Sequence, residues 1–214
     1  MEGSQMTIHE MALDIHKNAV THGWWDDDRD VYQVIALIHS EWSEALEEAR
    51  AGRGMVWYNC NEVSYDLNPC NVQDETDCVH FHKQDGCEYR SKKPEGIAVE
   101  LIDGVIRILD LFGAEGLDFH DAESGAPATV ESLWENARVL ENAPEDIATL
   151  VAFLHRFTAD AVPDDGDGYI PANLLAACSL ALSWVHERGC DPLALLKEKH
   201  EYNRSRAYKH GKKF

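Results

Sequence analysis

The sequence predicts an all-α protein, and three observations carry that prediction. Two apolar runs, IALIHSEWSEALEEAR and GIAVELIDGVIRILDLF, repeat at helical rather than strand period. Helical stretches are also predicted at about residues 6–21, 130–140, 147–161 and 171–188. Start and stop signals frame the first of these elements: Gly23 suits the end of a helix, and Asp30 suits the cap of the next.

Taken in order, the helix over 6–21 ends at His22-Gly23 and is followed by Trp24 and Trp25. Two readings stand for these tryptophans, core or staple residues on one side and stacking against a planar ring on the other. In the next helix Val31, Ile35, Ile38, Trp42, Ala45 and Ala49 form the apolar stripe, with Glu41, Glu44 and Glu48 along its flank. Residues 51–95 differ: they are turn-rich, lack helical period and contain Cys60, Cys70, Cys78 and Cys87. A segment that long inside a compact domain is functional or separately stabilised. The four thiolates are candidate Zn²⁺ ligands, with His80 and His82 as substitutes, but no C-x-x-C knuckle is present and free thiols or labile disulfides remain open. Cys178 and Cys190 carry no functional reading, the first lying in an apolar helical run.

The helix over 97–112 is apolar on nearly every side, yet Glu100, Asp103, Arg107 and Asp110 fall on one narrow stripe. Buried carboxylates are costly unless paired or metal-bound, and one Arg cannot neutralise three. Glu41 with Glu44, and Glu100 with Asp103, are each three residues apart and share a helix face. Two such helices packed together present four carboxylates to a hard cation such as Mg²⁺. A solvated acidic face is the plain alternative for Glu41, Glu44 and Glu48.

E-x-x-E on one helix, followed by E-x-x-D within an apolar run on the next, resembles the all-α nucleoside triphosphate pyrophosphohydrolases. This MazG-like superfamily includes dimeric dUTPases and phosphoribosyl-ATP pyrophosphohydrolases. KPEGIAVELID at 93–103 and KHEYNRSRAYKHGKK at 199–213 resemble its small MazG-like branch in particular. The resemblance implies a helical bundle in which Glu41, Glu44, Glu100 and Asp103 hold Mg²⁺ or Mn²⁺. It also implies cleavage of a nucleoside triphosphate to the monophosphate and pyrophosphate. Lys199, Asn203 and Arg206 match a K-x-x-x-N-x-x-R phrase that helps to hold the phosphates. Glu48, one turn beyond Glu44, is the candidate to orient or deprotonate the attacking water. The insert and the HGKK tail weigh against a phosphoribosyl-ATP enzyme. A non-catalytic nucleotide sensor, or a zinc-dependent interaction protein, is the competing class.

A formal charge of −20 over 214 residues argues against nucleic acid or an anionic membrane as partner. The sequence contains no long apolar span and no signal-peptide core, so the expectation is a cytoplasmic protein. Seven of the 19 basic residues lie in the last eighteen positions, a cluster suited to an anionic ligand or simply to solubility.

The chain also repeats itself. DVYQVIALIHSEWSEA at 30–45 aligns with DIATLVAFLHRFTADA at 146–161, setting His39 opposite His155, and LIDGVIRILDLFGAEGLD at 101–118 aligns with LLAACSLALSWVHERGCD at 174–191. The second copy has lost most of the carboxylates. Expected units are therefore 1–50 and 96–120 as the metal-binding helices, 51–95 as a Cys-rich insertion, 121–192 as a degenerate repeat or an added helical region, and 193–214 as a basic phosphate-binding tail. A four-helix core then forms within one chain or between the subunits of a homodimer.

Overall fold

The computed structural model describes residues 5–27, 29–59, 93–122, 124–135, 144–163 and 168–211. Cys60, Cys70, Cys78, Cys87, His80 and His82 lie outside them, and so does the zinc reading. Among the described residues the protein is helical, with one two-stranded ribbon as its only sheet.

Helix α1, Ile8–Thr21, starts in a capping box: Glu10 N–H donates to Thr7 Oγ1 (3.1 Å) and Thr7 N–H to Glu10 Oε2 (2.9 Å). It buries Ile8, Met11, Ala12 and Ile15, one face at i, i+3, i+4 and i+7. Helix α2, Val31–Arg50, is capped by Asp30, whose carboxylate accepts from Tyr32 N–H at 3.0 Å. Its buried stripe is Val34, Ile35, Ile38, Trp42 and Ala45, with Val31 and Ala49 only half-buried.

Strands β1, Trp57–Asn59, and β2, Lys93–Glu95, pair antiparallel, setting Trp57 opposite Glu95 and Tyr58 opposite Pro94. The expected turn-rich stretch thus holds a strand near each end, and Asn59 and Lys93, which flank residues 60–92, lie side by side. Helix α3, Ile97–Glu115, follows at once. Its first N–H groups donate to the carbonyls of Gly54 (3.2 Å) and Met55 (2.9 Å), which satisfies a helix start that has no side-chain cap.

Helix α3 is buried nearly all round because it packs against α1, α2 and two later helices. Two glycines permit that closeness. A Cβ at Gly104 would stand 2.2 Å from the Trp42 ring, and one at Gly113 would stand 2.3 Å from the Ala12 carbonyl.

Beyond α3 come α4, Ser132–Glu135; α5, Ile147–Asp160; α6, Pro171–Glu187; and α7, Pro192–Arg204. Asp146 caps α5 and Asp191 caps α7, each accepting a backbone N–H three residues on. The helix expected over 130–140 is seen only as α4, and residues 136–143 lie outside the described set. The basic tail is mostly a regular helix: α7 docks on α3, and the 3₁₀ turn Tyr208–Gly211 folds back so that Lys209 N–H donates to the His22 carbonyl (3.1 Å).

Helices α2, α3, α5 and α6 form a ring of neighbours: α2 on α3, α3 on α6, α6 on α5 and α5 on α2. At the α2–α5 contact His39 and His155 stack, with ring centroids 5.0 Å apart and Nδ1 to Nδ1 at 2.7 Å. One turn on, Trp42 Nε1 donates to Thr158 Oγ1 at 2.9 Å. Both pairs join residues 116 apart in sequence, the offset of the internal alignment. Among the described residues no helix is long and apolar enough to cross a membrane.

Candidate metal centre

The helical phase of α2 decides which of its acids turn inward. Glu41 precedes Trp42 and sits at the edge of the apolar stripe, so packing on α3 covers it to 5 % exposure. Glu44, three residues on, shares that edge but stays exposed. From α3, Glu100 meets them at 6 % exposure. One carboxylate oxygen from each of Glu41, Glu44 and Glu100 lies within 4.8 Å of the others.

Around this trio stand two cations. Arg107 Nε donates to Glu41 Oε1 in a short contact. Lys199, from α7, is 3 % exposed and places Nζ 2.7 Å from Asp103 Oδ2, while donating to the Pro94 carbonyl at 3.2 Å. Asp103 is therefore engaged by Lys199 rather than gathered with the other three acids. Glu48 does not join them: its Oε2 accepts from Trp57 Nε1 at 2.7 Å, and it is absent from the cleft wall. The strand that follows α2 engages it, away from the expected place beside the water.

The remaining expected residues do converge. Glu41, Glu44, Glu100, Asp103, Lys199, Asn203 and Arg206 all line one cleft of about 190 Å³. The cleft extends beyond them to Asn18, Trp24, Arg29 and Asp110, and Lys93 joins from β2. Lys93 stands at the head of the KPEGIAVELID phrase. Arg29 has no periodic signal and is visible only in three dimensions.

The electrostatics are those of a site with surplus negative charge. Burial, then the neighbouring Asp103 carboxylate, pushes Glu100 up to about 9, against the opposing pull of Lys199. Glu41 is raised by burial as well; Arg107 opposes the shift, and Asp103 and Glu44 add to it. Burial is the largest single influence on the Lys199 ammonium and lowers its pKa, but the charge and hydrogen bond of Asp103, with the charges of Glu100 and Glu95, together outweigh it and the pKa rises. A group of oxygen-only donors, one of them holding a proton at neutral pH for want of positive charge, fits a hard divalent cation such as Mg²⁺ or Mn²⁺.

At the other end of the cleft Trp25 is a structural residue. Its Nε1 donates to Asp110 Oδ1 and Oδ2 at 3.0 and 3.1 Å, and His16 Nδ1 lies 2.9 Å from Oδ1. Trp24 lines the cleft itself. The core or staple reading thus describes Trp25.

Compared with known proteins, the chain matches no family model, no curated protein and no solved structure.

Proposed function

We propose that the protein is a divalent-metal-dependent nucleoside triphosphate pyrophosphohydrolase of the MazG-like kind, converting an NTP or dNTP and water to the monophosphate and pyrophosphate. The observation that carries this reading is the meeting of Glu41, Glu44 and Glu100 oxygens within 4.8 Å, in a cleft also lined by Lys199, Asn203 and Arg206. Acids to hold a cation and bases to hold an anion in one cleft are what a metal–triphosphate complex requires.

Glu41, Glu44 and Glu100 would hold Mg²⁺ or Mn²⁺, with Asp103 the fourth carboxylate beside them. Such an ion would supply polarisation of the phosphoryl group and a lowered pKa for water. Arg107 fixes the Glu41 carboxylate, and Lys199 does the same for Asp103. Arg206 and Asn203 donate to phosphate oxygens, and the cluster of positive groups stabilises charge on departing pyrophosphate. The general base is left unassigned, since Glu48 is turned to Trp57.

Incubation of the purified chain with the common NTPs and dNTPs plus Mg²⁺ tests the reading. Pyrophosphate and monophosphate should appear in equal amounts, and chelation should stop the reaction. Release of orthophosphate instead would mean a different phosphohydrolase reaction, and no turnover of any nucleotide would return the chain to the competing non-catalytic class.

The finer fold reading is that α5 and α6 are a degenerate copy of α2 and α3, occupying the place of a second subunit. Its support is the 116-residue spacing of His39–His155 and Trp42–Thr158: around a two-fold axis a residue meets its own equivalent. The chain should then have the mass of a single copy in solution by light scattering at micromolar concentration. An obligate dimer would contradict it.

A further inference from the structure

Glu100 and Asp110 mark two ends of the cleft along α3, about 15 Å apart at 1.5 Å per residue. The far end differs in chemistry from the acidic one: Ile15, Leu37 and Ile106 give apolar walls, with the Trp24 ring and the Asn18 amide beside them. Arg29 also faces this space. Its side chain is only 8 % exposed, yet its guanidinium donates no hydrogen bond to any described residue. The nearest acid, Asp110 Oδ2, is 3.9 Å away, too far to accept one. Asp110 is already occupied by Trp25 and His16. The guanidinium carbon lies 5.8 and 5.5 Å from the Trp24 and Trp25 ring centroids, close enough for the rings to steady it.

The guanidinium has five donors, and none of its nitrogens is among the fully enclosed unpaired atoms, so they are open to an acceptor that enters the cleft. An acceptor delivered by a ligand would satisfy them. A phosphate fits poorly between isoleucine and leucine walls, whereas a flat ring with polar edges fits well. If the triphosphate occupies the carboxylate end, the base reaches this one. Guanine presents O6 and N7 to an arginine fork, and uracil, thymine and cytosine present ring carbonyls; adenine has none.

Resting on the pyrophosphohydrolase reading for the orientation of the nucleotide, we propose that Arg29 determines base specificity. It selects a nucleobase that carries a carbonyl oxygen and discriminates against adenine.

The test measures binding and turnover separately on the full chain. GMP, UMP, CMP and AMP are titrated without divalent metal by calorimetry, and the four NTPs are assayed with Mg²⁺. Wild type should bind at least one of the carbonyl-bearing monophosphates about tenfold or more tighter than AMP, as expected for a charge-assisted hydrogen bond. In Arg29→Met that ratio should collapse to about threefold or less; Arg29→Lys, which keeps the charge but loses the fork, should retain part of it. The ratio also separates recognition from a folding defect, because a damaged fold weakens all four ligands alike. Equal or tighter binding of AMP by wild type, no binding of any monophosphate, or a uniform loss in both variants would each overturn the proposal. Preserved base preference with no NTP turnover would remove the pyrophosphohydrolase reading and leave Arg29 as the base reader.

Discussion

Glu100→Gln should abolish nucleotide hydrolysis while making the metal-free protein more stable at neutral and alkaline pH. The activity loss follows from removing one of three oxygens proposed to hold the cation, and about a hundredfold or more is the scale for losing one transition-state-stabilising group. The stability gain follows from the raised pKa of Glu100, about 9 in the fold against 4.5 for the free side chain. Between those values the folded state holds a proton that the unfolded state has released. Stability of the metal-free wild type therefore falls as pH rises through that window. Gln keeps the shape, carries no titratable proton and removes this component of the slope. Each kcal/mol appears as about 2–4 °C in melting temperature for a chain of this size. Mg²⁺ should raise the melting temperature of wild type with increasing effect toward pH 9, because binding must displace the proton, and should raise that of Glu100→Gln far less. Thermal melts at pH 6, 7.5 and 9, with and without Mg²⁺, read the whole pattern. A variant that still turned over nucleotide, or a wild type whose metal-free stability did not decline with pH, would count against the site.

Lys199→Met should unfold the protein more readily by about 3 kcal/mol or more, the cost of leaving a buried partner charge uncompensated. Lys199 is almost inaccessible, and its ammonium reaches both Asp103 on α3 and the Pro94 carbonyl on β2. It thus ties α7 and the ribbon to the wall of the cleft. Asp103 is less covered, with a side chain 19 % exposed, so water can take over part of the loss. Removing both charges tests the account: Lys199→Met with Asp103→Asn should recover much of the stability without recovering turnover. Urea unfolding of the two single variants and the pair gives the coupling directly. Additive losses would mean that the two groups do not act together.

How much of this was legible beforehand differs from residue to residue. The stripe Glu100–Asp103–Arg107–Asp110 could be read because carboxylates inside an otherwise apolar helix violate the pattern around them. The structure puts that stripe along the cleft. Glu41 and Glu44 were equally legible as a pair, but not which would be covered; Trp42 packing against Gly104 draws Glu41 inward and leaves Glu44 at the rim. The engagement of Glu48 was not legible because it depends on Trp57, nine residues away in a short strand that the turn-rich composition concealed. Residues 199–206 read as a basic tail because their charge masks helical period, and α7 gains its burial only on meeting α3.

By itself the sequence determined most of the longer helices, the Asp30 cap and the presence of more acid than an apolar helix tolerates, since all of these depend on neighbours within one or two turns. Which charges would face one another was a tertiary decision. The pairing of Asp103 with Lys199, the clasp of Arg107 on Glu41 and the Arg29 guanidinium left facing the cleft follow from where distant helices dock, and no local period records that.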